Sequence, residues 1–228
     1  MSFGGHSGGG SYHTLYDTFE HYTKWIDPDL IYGETLAQFA GRATLRLANA
    51  PRLPFDFQGF ADNVAGYIDE IEKLATDMRE KTETDNQDIR AGVYDMILDP
   101  TKTLGPPIIK PPVPYFNFAP LHNALAYLET GAAAYQDLAM SGALASEQTN
   151  YSLYTSEREL IREEGLDGRP WYKHHIYAPG FYTGYGVKTI PGVREAIEQR
   201  QYDQVASQIE IAAEVLTNLG NLLDELTN

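Results

Sequence analysis

The chain contains no cysteine. Disulfides, thiolate nucleophiles and cysteine-ligated zinc are therefore excluded from its 228 residues. The compartment stays open, because many secreted proteins also lack disulfides. Positive charge is scarce: 17 Lys and Arg stand against 32 Asp and Glu, for a formal net charge of -15. A surface of that sign repels polyanions, so neither nucleic acid nor an anionic membrane is expected as a partner. No apolar run reaches about 18 residues, so no membrane-spanning helix is expected. The start, MSFGGHSGGGSYH, has neither a basic n-region nor an apolar h-region and does not read as a signal peptide. A glycine-rich loop leading straight into a helix reads instead as the interior of a domain, cut open.

What is abundant is helical periodicity. Thr14 and Asp17 fit a capping box and predict a helix over 15–25, stopped at Asp27-Pro28. A second helix is expected over 34–50, with Leu36, Phe39, Ala40, Ala43 and Leu47 on one face. Asp56 suits the N-cap of a long helix to about Glu83, striped by Phe60, Val64, Ile68, Ile71, Ala75 and Met78. A short helix over 87–98 follows. Six prolines in 99–118 rule out regular helix there. That stretch reads as a structural crossover, with a peptide-like ligand for an aromatic groove as the alternative. Helices are then expected over 120–140, 145–164, 191–200 and 203–226. Gly165 is expected as a C-cap with positive φ. Between Leu166 and Ile190 lies a long, ordered, aromatic-rich loop, and such loops often carry function. Strand signals are nearly absent. The fold class expected is all-α, with the four longest helices forming a bundle. Sixteen tyrosines, each with an apolar ring and a polar tip, suit half-buried seams and interfaces.

Chemistry-bearing motifs are missing. The histidines are His6, His13, His21, His122, His174 and His175; none forms HExxH, and no two lie four apart on a helix. His174 and His175 are neighbours, so an extended backbone sends them to opposite sides and a shared metal is not expected. FGGHSGGG has neither the spacing of a dinucleotide fingerprint nor the Lys-Ser/Thr of a phosphate loop. No G-x-S-x-G elbow is present. His13, at the exit of the glycine loop, could ligate a metal only with partners from elsewhere. Asn150-Tyr151-Ser152 is a glycosylation sequon that matters only in a eukaryotic secretory pathway.

Three stretches carry a resemblance. SYHTLYDTFEHYTKWIDPDL resembles the end of the peptidase domain in glutamate carboxypeptidase II-like enzymes, relatives of the transferrin receptor. LANAPRLPFDF resembles the junction into that family's helical domain, and GLDGRPWYKHHIYAPGFYTGYGVKTIPGVREAI resembles the signature loop of the transferrin receptor-like dimerisation domain. The resemblance implies a remnant of a zinc peptidase domain in 1–53 and a helical dimerisation domain in 54–228, with 99–118 as a proline-rich insertion. It implies a homodimer, and two zinc ions in the parent protein. It matches His13 to the last zinc ligand, Tyr12 to a residue near the substrate's C-terminal side chain, and Tyr185 to a tyrosine that binds the substrate's terminal carboxylate. Gly184 stands where the glutamate-specific enzyme has lysine, so glutamate specificity is not expected. The remaining ligands and the glutamate base would precede Met1, so no catalytic residue and no stably bound zinc are expected in this chain. The parent is then expected to be a zinc-dependent exopeptidase, in a compartment that the sequence leaves open, outside the cytoplasm included. A receptor-like or scaffolding homologue without activity is the alternative. Leu15, Phe19, Trp25 and Leu36 would then lack the cover of a missing sheet.

Overall fold

A computed structural model describes residues 11–97, 101, 105, 107–144 and 146–228. His6 and most of the glycine-rich loop fall outside these residues, as do parts of 99–118. The chain divides into two compact units, Met1–Leu53 and Pro54–Asn228.

In the first unit α1 is a single turn, Phe19–His21, continued by a π-helical turn, Tyr22–Ile26. The expected capping box at Thr14 and Asp17 is not formed. Thr14 closes a turn instead: its hydroxyl donates to the Ser11 carbonyl at 2.7 Å and accepts from the Tyr16 amide at 3.2 Å. The cap is Thr18, whose hydroxyl accepts from the His21 amide at 3.1 Å. α2 spans Ile31–Ala48. Asp27 is buried and accepts from the Gly33 amide at 2.9 Å and from the Tyr22 hydroxyl at 3.2 Å. Burial works against its charge. Hydrogen bonds from the amides of Gly33 and Tyr32, the Tyr22 hydroxyl and the Ile31 amide more than offset this, and hold the carboxyl below its usual range. The Asp-Pro dipeptide thus both ends the first helix and caps the second. α2 buries none of its residues, and Leu15, Phe19, Trp25 and Leu36 are all exposed.

The second unit contains the core. α3 (Phe57–Arg90) is capped by Asp56, which accepts from the Gly59 amide at 2.9 Å. Its stripe buries Ala61, Val64, Ile68, Ile71 and Ala75. The predicted break after Glu83 does not occur, and Gly92, at φ +71°, separates α3 from the short α4 (Val93–Ile97). Tertiary partners carry the helix through residues of weak propensity. The Asn86 carboxamide binds both the carbonyl and the amide of Lys110, at 2.8 and 2.9 Å, and Thr82 accepts from Arg200 at 2.7 Å.

α5 (Ala119–Ser141) starts with Pro120 and ends at Gly142, which has φ +79°. It packs along α8 (Tyr202–Thr227) and against α3. Leu121, Leu125, Leu128, Ala132 and Tyr135 of α5 face Val205, Ile209, Ala212, Leu216, Leu219 and Leu223 of α8 across the buried centre. Glycines allow the close approach: a Cβ added at Gly220 would lie 2.7 Å from the Tyr127 ring, and one at Gly131 would lie 3.1 Å from Leu223 Cβ.

The helix expected over 145–164 is shorter. α6 covers Glu147–Thr155, capped by Ser146, and a 3-10 turn runs from Ser156 to Leu160. Ile161 is extended because it pairs with His174. The loop beyond is not strand-free: β1 (Tyr177–Pro179) and β2 (Val187–Thr189) form an antiparallel hairpin with Ala178 opposite Lys188. α7 (Pro191–Glu198) follows and packs on α8. The all-α class stands, with this hairpin as its addition.

Candidate functional site

The aromatic-rich loop is braced from within. Arg162 and Lys173 join their backbones at 3.0 Å, and the His175 amide donates to Leu160 at 3.0 Å. Gly165 has φ +67°, as expected, but as a loop residue and not as a helix cap, and a Cβ there would sit 2.3 Å from the Pro170 carbonyl oxygen. Only glycine fits both conditions.

At the base of the hairpin, buried Arg169 meets buried Glu195 of α7. The Arg169 guanidinium also donates to the Pro179 carbonyl, while Glu195 Oε1 accepts from the Phe181 amide at 2.7 Å. The rings of Tyr172 and Phe181 lie 5.6 and 5.5 Å from the guanidinium carbon. One ion pair therefore joins the end of β1, the start of the hairpin loop and α7. The sequence reading missed it. Its only signal was an Arg and a Glu in an otherwise aromatic and glycine-rich stretch, 26 residues apart.

Above this brace the Gly180 amide donates to the Gly186 carbonyl at 2.8 Å, closing the loop 180–186. Tyr185 sits on that loop and is 98% exposed. Gly184 is beside it, with nothing within 4 Å of an added Cβ. The hairpin is further held to α7 by Lys188, which lies 2.8 and 2.9 Å from the two carboxylate oxygens of Glu198.

His174 and His175 have separate surroundings. His174 Nδ1 accepts from the amides of Ile176 and Tyr177 at 3.2 and 3.0 Å, and its Nε2 is 3.2 Å from Glu157. Burial lowers the His174 pKa, and Glu157 acts against that shift. His175 is buried, and its Nε2 has no partner among the described residues. Burial first, then the charges of Arg162 and His174, lower its pKa to about 4, against a smaller opposing pull from Glu164. A histidine depressed in the folded state contributes stability above its unfolded pKa of about 6.5. That contribution is lost as pH falls towards 4. Urea unfolding at pH 7 and pH 5 should show a loss of about 1–2 kcal/mol at the lower pH, after allowance for solvent screening. His175→Gln should flatten that slope.

In the first unit, Tyr12 and His13 lie together, with ring centroids 3.9 Å apart, and both are exposed. His13 has φ +59°, a left-handed conformation uncommon for residues other than glycine. Among the described residues no three His, Cys, Asp or Glu side chains converge to hold a metal ion. A two-zinc centre needs more ligands than one imidazole supplies. Among the described residues no helix is long and apolar enough to cross a membrane.

The class defined by this structure is an all-α bundle bearing an internally braced, aromatic hairpin loop. Residues 116–224 match the transferrin receptor-like dimerisation domain. A probable glutamate carboxypeptidase of Arabidopsis thaliana is 31% identical over 198 residues, covering 87% of this chain and 24% of that protein. A probable glutamate carboxypeptidase of Zea mays is 24% identical over 207 residues, covering 88% and 25%. The mouse aminopeptidase NAALADL1 is 22% identical over 222 residues, covering 95% and 25%. The chain spans about a quarter of the length of these relatives. The chain thus carries a transferrin receptor-like dimerisation domain and is similar over most of its length to proteins named as glutamate carboxypeptidases and an aminopeptidase.

Proposed function

We propose that residues 54–228 are the homodimerisation and substrate-pocket-completing module of a glutamate carboxypeptidase II-like zinc metallopeptidase, and that residues 1–53 are the end of its peptidase domain. The observation that carries this reading is Tyr185. An aromatic side chain almost wholly in solvent, on a loop whose base is locked by a buried ion pair, is suited to meeting a surface outside its own unit. In the longer protein Tyr185 would take a substrate's terminal carboxylate, and Tyr12 would stand near its C-terminal side chain. His13 would supply one ligand to a two-zinc site whose other ligands and general base lie outside this chain. With Gly184 beside Tyr185, no cation is offered there to an acidic side chain, so the substrate class is a peptide without a requirement for C-terminal glutamate.

The chain alone then assembles but does not hydrolyse. Sedimentation of the 228-residue chain should show a two-fold dimer, as expected for a self-complementary helical surface. A strict monomer at high micromolar concentration would overturn the module reading. Metal analysis should find less than one zinc per chain, with no dipeptide hydrolysis. A second reading, a receptor-like scaffold inactive even at the relatives' full length, is opposed by the retained Tyr12-His13 pair. Intact zinc ligands in the gene upstream of residue 1 would exclude it.

A further inference from the structure

A chain with a formal net charge of -15 gathers four cations around one groove of its second unit. α3 forms one wall and the proline-rich segment after Pro107 forms the other, enclosing about 560 Å³. Arg79 and Arg90 line it from α3, and Lys110 from the segment. Arg200 stands against the same segment, donating to the Pro111 carbonyl at 3.2 Å.

Among the described residues none of the four is paired with a carboxylate. Arg79 donates to the carbonyls of Val113 and Pro114 at 3.2 and 2.9 Å. Arg200 donates to Pro111, to the Thr82 hydroxyl and to the Tyr202 hydroxyl. Neutral acceptors satisfy these donors and leave the charge in place. The Arg90 and Lys110 side chains have no acceptor among the described residues. Lys110 is nonetheless fixed in position, because Asn86 grips both its amide and its carbonyl. Glu83, the one carboxylate among the described lining residues, does not balance three cations.

The groove also carries apolar surface. Ile109 is half exposed, and Tyr115 stands in solvent with its ring 4.0 Å from the Arg79 guanidinium carbon. Pro111, Pro112 and Pro114 offer no N–H, so a ligand cannot be taken up by strand pairing along this edge. Recognition has to run through side chains: carboxylates against fixed cations, and an apolar group against Ile109 and Tyr115. The volume exceeds what a small anion fills and suits a few residues of peptide.

We propose that this groove binds an acidic peptide segment in which an apolar side chain is flanked by carboxylates. None of the residues that line the groove belongs to the Tyr185 loop. The test is fluorescence anisotropy with the full chain and a fluorescein-labelled peptide of alternating Glu and Leu, at low and at 0.15 M ionic strength. Saturable binding that weakens with salt is expected. The double variant Arg90→Glu with Lys110→Glu should weaken it by at least about tenfold, and Arg90→Ala with Lys110→Ala by less. Lys73→Glu, exposed on α3 and outside the groove, should leave it unchanged, and circular dichroism should show all variants folded. Absence of saturable binding would overturn the proposal. So would equal affinity for a Lys-Leu peptide, full competition by citrate at matched charge, a preference for phosphatidylserine vesicles over the peptide, or an equal loss with Lys73→Glu.

Discussion

Arg169→Ala should lower the unfolding free energy of the second unit by about 3–5 kcal/mol, because it leaves the Glu195 carboxylate buried without its counter-ion. Most of that loss is the cost of an uncompensated buried charge, and only part is the attraction removed. The substitution also takes a donor from the Pro179 carbonyl and a cation from beside the Tyr172 and Phe181 rings. Arg169→Lys should recover little, since one ammonium cannot reach both Glu195 and Pro179 in the planar geometry of a guanidinium. Urea unfolding gives the magnitude. Near-ultraviolet circular dichroism gives a second readout, because the aromatic residues of the loop lose their fixed setting before the helices melt. If Arg169→Ala cost less than about 1 kcal/mol, water would be reaching Glu195, and the hairpin would not be the rigid mount that Tyr185 requires.

Tyr135→Ala should cost a similar 3–5 kcal/mol for a different reason. Tyr135 is fully buried on α5, with its ring edge-on to Phe57 at 5.0 Å, next to the glycine-mediated approach of α8. Large residues on both helices limit collapse, so the lost contacts leave a cavity. Leu15→Ala offers the contrast. Leu15 is 96% exposed, so its removal should change the stability of the isolated chain by no more than about 0.5 kcal/mol. Equal losses in the two variants would mean that Leu15 is covered by another surface in solution, a second copy of the chain included.

Much of the second unit was legible because its helices obey one local rule. Alternation at three and four residues marks the buried faces of α3, α5 and α8, and Asp56, Pro120 and Pro191 mark where helices begin. The errors arose where a tertiary partner outweighed local preference. Asn86 stays helical because Lys110 satisfies its carboxamide. Residues 161–164 leave the helix because Ile161 pairs with His174. Thr18, not Thr14, caps α1, because the Thr14 hydroxyl is engaged in a turn with Ser11 and Tyr16.

The functional loop was legible as a loop and as a family signature, and its mechanics were not. Tyr185 could be named from its motif, but nothing local says that it stands free in solvent on a hairpin braced by Arg169 and Glu195. What the amino-acid order determines alone is the helical class, the buried stripes and the absence of thiol chemistry. These depend on composition and on periods of a few residues. Which charges meet is decided only by the tertiary structure. Arg169 finds Glu195 across 26 positions, Arg200 reaches Thr82 across 118, and Arg90 and Lys110 line one groove without a carboxylate partner among the described residues. Coulomb attraction and desolvation depend on distance in space and on access to water, and neither can be read from separation along the chain.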